Sequence, residues 1–268
     1  MKIAGYLSVA VAGTLIALGG APPVYAAISK TADNTASPAA FVAPSGTITI
    51  SAADSLIDVL PVIAAAFTKR FPKVTVKFNF GGSSALVAQL NAGAPVDILA
   101  TASELTMANA VSAGTVINPL KFAKNTMAIA MPAGNPANVT ALADLARPGV
   151  LVAVCDVPVP CGAAARDLFK NANITVTPVT RELDVRMVLS KVIADEVDAG
   201  IVYVTDIQWA GSKVTSAAIP SALNVVTSYP VAAVKTSANP TAAKAFADYL
   251  HYSFSAQWIL QAYGFMRP

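Results

Sequence analysis

The feature that most constrains the fold is a β-like run that ends in a short Gly/Ser turn and continues into a helix. It occurs twice: residues 47–54 lead to Ser55, and residues 74–82 lead to Ser83. A helix N-terminus offers unpaired N–H groups and the positive end of a dipole. Two such turns that face one another would form a socket for a small anion, and each serine would add a hydroxyl donor.

Strand-like and helical patterns alternate from Gly46 to the end of the chain, which predicts an α/β fold layered around parallel strands. The strands are predicted over residues 47–51, 74–80, 96–101, 126–131, 150–155, 199–204 and 230–235. The helices are predicted over residues 55–70, 84–92, 103–113, 162–172, 184–196 and 241–261.

The chain has 268 residues, which is enough for one large domain or two modest domains with their own cores. Two apolar runs, residues 126–131 and 229–234, are candidate crossings between two lobes. We therefore predict a first lobe from residues 46–125 together with 229–268, and a second lobe from residues 126–228.

Residues 1–26 have the pattern of an export signal: a positive start, an apolar run to Leu18 and a small-residue cleavage site before Ala27. An uncleaved membrane anchor is the alternative, but Pro22-Pro23 favours cleavage. The Ser/Thr/Ala/Pro-rich residues 27–45 predict a flexible leader. We expect the mature protein to be soluble and periplasmic, or otherwise extracytoplasmic.

The charged residues exclude one class of partner. They make up only 12% of the chain, the net charge is +3 and the sequence contains no run of Lys and Arg. A nucleic-acid phosphate backbone needs a concentrated basic face. We therefore predict no nucleic-acid partner.

Cys155 and Cys161 are the only cysteines. In an exported protein such a pair predicts a disulfide, which here would close a short loop and stabilise the fold by about 2 kcal/mol. A redox or metal pair is the alternative. The C-x5-C spacing is not that of a dithiol redox motif, and no histidine stands nearby to complete a metal site.

Three further segments have the character of a binding turn. Residues 156–162 follow an apolar strand, are stiffened by two prolines and place the N–H of Cys161 where a helix begins. Asp184 resembles an N-cap, which would leave the N–H of Val185 free at the first helical position. Residues 200–203 form an apolar strand that ends with the phenol of Tyr203.

Each of these residues also has a purely structural interpretation. A serine at a helix start is usually a cap, Gly81-Gly82 would provide positive φ for a turn, and Tyr203 would be a core or rim aromatic. Arg186 could be a counter-charge, but we expect it to be solvated or paired with Glu182. The coincidence of several turns, rather than any single residue, favours a binding site.

From Gly46 to Pro268 the chain resembles the substrate-binding proteins of molybdate ABC transporters. The resemblance is carried, in order, by Ser51-Ala52-Ala53-Asp54-Ser55-Leu56, Phe80-Gly81-Gly82-Ser83-Ser84, Ala92-Gly93-Ala94-Pro95-Val96-Asp97, Val159-Pro160-Cys161-Gly162, Asp184-Val185-Arg186, Gly200-Ile201-Val202-Tyr203 and Tyr263-Gly264-Phe265.

The resemblance implies a two-lobed periplasmic-binding-protein fold of type II that closes on a tetrahedral oxyanion in the interlobe cleft. Ser55 and Ser83 would donate through hydroxyl and backbone N–H, Cys161 and Val185 through backbone N–H, and Tyr203 through its phenol. The ligand would be molybdate or tungstate, held by neutral donors without a cofactor or any further metal. The protein would be a monomer that delivers the anion to an ABC permease in the membrane.

The chain departs from the family pattern at four positions. Asp54 stands where a small residue is usual, Gly82 replaces a common Ser, Cys161 takes a position often held by Ala or Ser, and Val204 follows the Tyr where Gly is frequent. A carboxylate that faced a dianion would weaken binding. We therefore expect the Asp54 side chain to point away from the ligand and to cap its own helix.

Several alternatives stay open. The ligand could be another tetrahedral oxyanion such as sulfate or phosphate, and a structural or adhesion role is a third class. A ferric-iron binder would need several Tyr, His or Glu ligands, and Tyr203 has no evident companions. A serine hydrolase built on Ser55 or Ser83 would need a base, but the only histidine is His251 and there is no Gly-x-Ser-x-Gly elbow.

Overall fold

A computed structural model describes residues 42–268 of the chain. The export signal predicted over residues 1–26 and most of the leader predicted over residues 27–45 lie outside the described residues. Within residues 42–268, no helix combines the length and the apolar character that a bilayer crossing requires.

Strands and helices alternate along the described chain, as predicted. The strands are β1 (Gly46–Ala53), β2 (Val74–Gly81), β3 (Ile98–Ala100), β4 (Val116–Pro132), β5 (Val152–Cys155), β6 (Thr180–Glu182), β7 (Ala199–Tyr203), β8 (Val214–Ala217) and β9 (Val226–Val234). The α-helices are α1 (Val59–Arg70), α2 (Ser83–Asn91), α3 (Glu104–Ser112), α4 (Pro160–Asn171), α5 (Val185–Ile193), α6 (Val204–Ala210), α7 (Pro240–Tyr252) and α8 (Phe254–Ala262). Three 3₁₀ turns are Asp54–Leu56, Leu142–Ala146 and Gly211–Lys213.

The strands are hydrogen-bonded in the order β2-β1-β3-β9-β4-β7-β5-β6, and β8 pairs with β4. β1 is parallel to β2 and β3, and β5 is parallel to β6 and β7. The long strands β4 and β9 are antiparallel to their neighbours. The α/β class is confirmed, but the expectation of parallel strands holds only in part, because a buried apolar run does not reveal the direction of its partner.

β4 connects two groups of strands. Its residues 116–126 pair with β9, and its residues 127–132 pair with β7 and β8. Asn125, at the change of partner, is buried and donates from Nδ2 to Thr205 Oγ1 at 2.9 Å. The same continuous strand therefore belongs to the group β1, β2, β3 and β9 and to the group β5 to β8.

Aromatic side chains fill the core beside this change of partner. Tyr229 on β9 is fully buried and meets Phe122, Tyr203 and Phe265 edge to face, with ring centroids 5.4–6.4 Å apart. Edge-to-face pairs of this kind stabilise by about 0.5–1.5 kcal/mol beyond the area they bury. The cluster fixes two tyrosine hydroxyls in place at the end of β7.

Several predicted element bounds are corrected. The helix predicted over 55–70 is a 3₁₀ turn followed by α1, and the helix predicted over 241–261 is two helices broken at Ser253, whose side chain accepts from the N–H of Ala256. β6, β8 and α6 are not predicted at all. β6 and β8 have only three and four residues, and α6 follows β7 without a turn residue between them.

Candidate functional site

All five predicted binding residues line one small cavity. Its volume is about 10 Å³, which is room for about one water molecule. The cavity lies between two walls. The first wall comprises Ala53, Asp54, Ser55, Gly81, Gly82, Ser83 and Ala102, and the second wall comprises Val159, Pro160, Cys161, Asp184, Val185 and Tyr203. A larger ligand therefore enters only when the walls move apart.

The first wall is built from the ends of β1 and β2. Ser83 is the first residue of α2, and its Oγ accepts a hydrogen bond from the N–H of Ala102 at 3.1 Å. Because that bond uses a lone pair, the Ser83 hydroxyl hydrogen remains available for a ligand. The backbone N–H of Ser83 lies in the first turn of α2, where the helix supplies no acceptor.

Ser55 lies in the 3₁₀ turn after β1 and is buried. Its Oγ is 2.9 Å from the phenol oxygen of Tyr229. Burial raises the pKa of Tyr229, so this phenol keeps its proton and can donate to Ser55. The Ser55 hydroxyl hydrogen is then free to point into the cavity.

In the second wall, the turn before α4 is covalently held. Cys155 ends β5 and Cys161 is the second residue of α4, and a disulfide joins them with their Cα atoms 5.6 Å apart. The predicted disulfide is thereby confirmed. Pro160 occupies the first helical position, so the next N–H, that of Cys161, is one of the groups that the helix leaves unpaired.

The turn before α5 has the predicted cap. Asp184 is the N-cap, and its Oδ1 accepts from the N–H of Met187 at 2.8 Å. Val185 is buried at the first helical position, and its N–H has no acceptor within the helix. The carboxylate thus orients α5 so that an unpaired N–H reaches the cavity wall.

Tyr203 ends β7, and its side chain is only 1% exposed. Its phenol oxygen is one of three buried side-chain polar atoms in residues 42–268 that lack a hydrogen-bond partner. Burial raises the pKa of Tyr203, which keeps the phenol protonated and therefore a donor. An unpaired buried donor costs about 1–3 kcal/mol, so an acceptor that enters the cavity would recover this free energy.

Asp54 does not behave as expected. It is the first residue of the 3₁₀ turn, this turn has no side-chain cap, and Asp54 lines the cavity together with Asp184. Burial, followed by the charge of Asp184, raises the pKa of Asp54 to about 7. The expectation that the side chain caps its own helix is wrong, because the turn after β1 is too short to provide the N–H groups of a full helical turn.

Arg186 is also placed differently from the expectation. It forms ion pairs with Asp58 and with Asp206, and its guanidinium carbon lies 4.6 Å from the centre of the Trp209 ring. Its Nε is 3.0 Å from Asp206 Oδ1, a charge contact whose angle falls short of a hydrogen bond. The expected partner, Glu182, instead lies 3.9 Å from Lys191 Nζ. Position 186 faces α1 and α6 rather than solvent.

Gly82 allows close approach of the backbone to a neighbouring segment, and it does not provide positive φ. Its φ is −60°, and neither Gly81 nor Gly82 has positive φ, so the interpretation of this pair as a left-handed turn is wrong. A Cβ atom on Gly82 would collide with the carbonyl oxygen of Leu183. Gly82 therefore lets the first wall touch the segment that precedes α5.

Three residues of this region escape the sequence analysis. Tyr229 supports Ser55 from β9, and Asp58 and Asp206 hold Arg186. All three are distant in sequence from the residues that they contact. The only available signal was a tyrosine inside the apolar run at 229–234, and nothing in a single sequence pairs it with Ser55.

Possible metal ligands and the histidine are placed as follows in the described part of the chain. Within residues 42–268, no group of three or more His, Cys, Asp and Glu side chains could hold a metal ion. His251 lies near the end of α7, and its Nδ1 contacts the carbonyl oxygen of Lys121. It does not line the cavity of Ser55 and Ser83.

The chain is similar to known binding proteins over almost all of the described part. Residues 48–266 match the family described as bacterial extracellular solute-binding protein. The molybdate-binding protein ModA of Mycobacterium tuberculosis (strain ATCC 25618 / H37Rv) is 39% identical over 233 residues, which cover 87% of this chain and 89% of that relative.

Two solved structures share the fold at lower identity. The periplasmic molybdate-binding protein of Azotobacter vinelandii has a TM-score of 0.73 and 18% identity, over 82% of this chain and 99% of that one. The sulfate-binding protein SubI of Mycobacterium tuberculosis H37Rv has a TM-score of 0.70 and 23% identity, over 82% and 86%. By the extent and identity of the family matches, this chain belongs to the bacterial extracellular solute-binding proteins and, among them, to the ModA family.

Proposed function

We propose that the protein captures molybdate or tungstate outside the cytoplasmic membrane and delivers it to an ABC permease. The observation that carries this proposal is the buried phenol of Tyr203, a donor without a partner in the wall of a cavity lined by further donors. Relatives of the ModA family named as molybdate-binding proteins support the choice of ligand.

The anion would be held by neutral donors: the hydroxyls of Ser55 and Ser83, the phenol of Tyr203, and backbone N–H groups that include those of Cys161 and Val185. Hydrogen bonds to a charged group contribute about 1.5–3 kcal/mol each. Roughly seven of them are sufficient for a sub-micromolar complex after the costs of ordering and desolvation.

Neutral donors would also provide selectivity. They satisfy all four oxygens only when the anion is fully deprotonated, so a protonated phosphate would place a donor against a donor. Sulfate has shorter bonds to oxygen than molybdate or tungstate, so donors spaced for the larger anions would leave it under-coordinated.

The two walls provide a way to report that the site is filled. The first wall belongs to residues 46–125 and the second wall to residues 126–228, and we propose that these segments form the two lobes, with residues 229–268 in the first. Closure of the walls would bury the anion and present a new surface to the permease. The two segments touch where Ser84 Oγ contacts the carbonyl oxygen of Pro158 and where Gly82 approaches Leu183.

The test is calorimetric titration of the anion-free protein with molybdate, tungstate, sulfate and phosphate. We expect tight one-to-one binding of molybdate and tungstate. Sulfate should bind at least about a hundredfold more weakly, which is a difference of about 2.7 kcal/mol in binding free energy. Preference for sulfate or phosphate would retain the binding fold but change the ligand. Silence to all four anions would contradict the proposal.

The matched variants are Tyr203→Phe and Tyr252→Phe. Tyr203→Phe removes the unpaired phenol and should weaken molybdate binding by about 10- to 100-fold. Tyr252 is 70% exposed at the end of α7, so the same change there should leave the affinity unaltered. Equal affinities for the two variants would show that the phenol of Tyr203 does not reach the anion.

A further inference from the structure

Two acidic residues line the cavity in which the proposed function places an anion. Asp54 belongs to the first wall and Asp184 to the second. The unpartnered phenol of Tyr203 lines the same cavity, which independently marks it as a ligand site. A dianion that enters this space therefore meets two acidic side chains as well as the donors.

Among the described residues near Asp54 and Asp184, no cation without its own carboxylate partners balances these two acidic side chains. The charged groups that act on Asp54 are Asp184, Arg186 and Asp206. Arg186 is already paired with two carboxylates, Asp58 and Asp206.

The groove that continues from Asp54 and Asp184 away from the cavity contains one more cation, Lys191. This lysine also lies beside two carboxylates, Glu196 at 3.1 Å and Glu182 at 3.9 Å. Each of these two cations is therefore paired with two carboxylates, and electrostatics alone would oppose the entry of a dianion.

We infer that Asp54 binds a proton when the oxyanion enters, so that the two facing acidic residues, Asp54 and Asp184, together carry one negative charge rather than two in the complex. This inference rests on the proposed function and deepens it, because it adds the uptake of a proton to the binding reaction.

The proton is available near neutral pH. Burial and the neighbouring carboxylate raise the pKa of Asp54 to about 7 in the protein without ligand, and a bound dianion raises the pKa further because it is a like charge. Below about pH 7 Asp54 is already protonated, and the affinity should not depend on pH. Above it, each bound anion must draw a proton from solvent, and the affinity should fall by up to about tenfold per pH unit.

The experiment is a molybdate titration by calorimetry at several pH values from about 6 to about 8.5. Each titration is repeated in two buffers with different enthalpies of ionisation, which counts the protons taken up. For the unaltered protein we expect proton uptake that approaches one per anion at the highest pH, together with the loss of affinity. For Asp54→Asn we expect no uptake, a flat pH profile, and tighter binding than the unaltered protein at pH 8.5.

Asp248→Asn is the control, because this aspartate is paired with Lys244 on the surface of α7 and does not line the cavity. It should behave like the unaltered protein. Since all three proteins meet the same anion, protonation of molybdate itself affects them equally. Tight binding without proton uptake and with a flat profile in the unaltered protein would overturn the inference alone. Failure of every oxyanion to bind at every pH would overturn the proposed function as well.

Discussion

Both walls of the cavity present hydrogen-bond donors, but they differ in whether the donor side chains already have partners within the protein. In the first wall, both serine hydroxyls already have a protein partner, Ser83 with Ala102 and Ser55 with Tyr229. In the second wall, the phenol of Tyr203 has none, and the adjoining turn is closed by the disulfide of Cys155 and Cys161. The first wall keeps its donors oriented by hydrogen bonds, and the second wall by covalent and helix-capping constraints.

This difference separates stability from affinity. A donor that has a partner within its own wall contributes to folding whether or not a ligand is present. A buried donor without a partner costs folding free energy that only a ligand recovers. The two walls should therefore respond differently to the loss of a single oxygen atom, and the contact between them should matter more for binding than for folding.

The largest effect on molybdate affinity is expected from Gly82→Ala, which disrupts the contact between the walls. A methyl group there would collide with the carbonyl oxygen of Leu183, so the walls could not close to their present separation. Molybdate affinity should fall by about 100-fold or more, measured by calorimetry, with little change in the melting temperature of the anion-free protein.

Gly81→Ala is the matched control for Gly82→Ala. Its added Cβ would lie 3.3 Å from Leu86 Cδ2, a side chain of α2 that belongs with the first wall. A contact of this kind can relax by a small movement of one side chain. Equal losses of affinity in the two variants would mean that close approach of the walls is not what Gly82 provides.

A comparison of Tyr203→Phe with Ser83→Ala tests the difference between an unpaired and a paired hydroxyl directly. Both should weaken molybdate binding, by roughly 10- to 100-fold. In the anion-free protein, however, Tyr203→Phe should leave the free energy of unfolding unchanged or higher, because it removes an unpaired buried hydroxyl. Ser83→Ala should lower it by about 1–3 kcal/mol, because the N–H of Ala102 loses its acceptor.

Denaturant titration of the two anion-free variants measures this difference. If both changes destabilise the protein equally, Tyr203 has a partner in solution and the contrast between the walls disappears.

The disulfide should matter less for binding than for folding. Replacing Cys155 and Cys161 together by serine should lower the free energy of unfolding by about 2 kcal/mol, the value expected for a short loop. Pro160 and the first turn of α4 remain, so molybdate affinity should fall only a few-fold. A loss of affinity as large as that of Tyr203→Phe would show that the covalent link, rather than the helix, holds the second wall in place.

The smallest effect concerns stability and pH. The pKa of Asp54 in the folded protein, about 7, lies above the ordinary value of 3.8 for this side chain, so the folded state binds a proton more tightly than the unfolded state. The unfolding free energy therefore falls as the pH rises from about 4 to about 7, and the deficit persists above pH 7. Asp54→Asn should raise the melting temperature at pH 8 by roughly a few degrees and have no effect near pH 4. A gain at pH 4 equal to that at pH 8 would contradict this linkage.

The sequence predicts local features of this site better than the contacts between its parts. The turns after β1 and β2, the cap at Asp184 and the cysteine pair follow from spacing and residue type within a few positions. The partners of Arg186 and the contact between Gly82 and Leu183 do not, because they join residues far apart in the chain. The cap expected at Asp54 is absent because the length of a 3₁₀ turn cannot be read from one residue pattern.

The elements show the same division. Long periodic helices such as α1 and α4 are predicted to within a few residues, and the short strands β6 and β8 carry too few residues for a pattern. The direction of β4 and β9 is set by their neighbours in the sheet. Those neighbours are known only once the chain has folded.

The continuous course of β4 has a mechanical consequence for any opening of the cavity. The strand runs for 17 residues and changes partners near residue 126 without a break in its backbone. Relative motion of the two strand groups is then a flexure of an ordered ribbon, in which a few backbone torsions share the rotation. An ordered strand that is bent in this way tends to return to one preferred geometry. A flexible linker would instead allow the two strand groups many relative orientations.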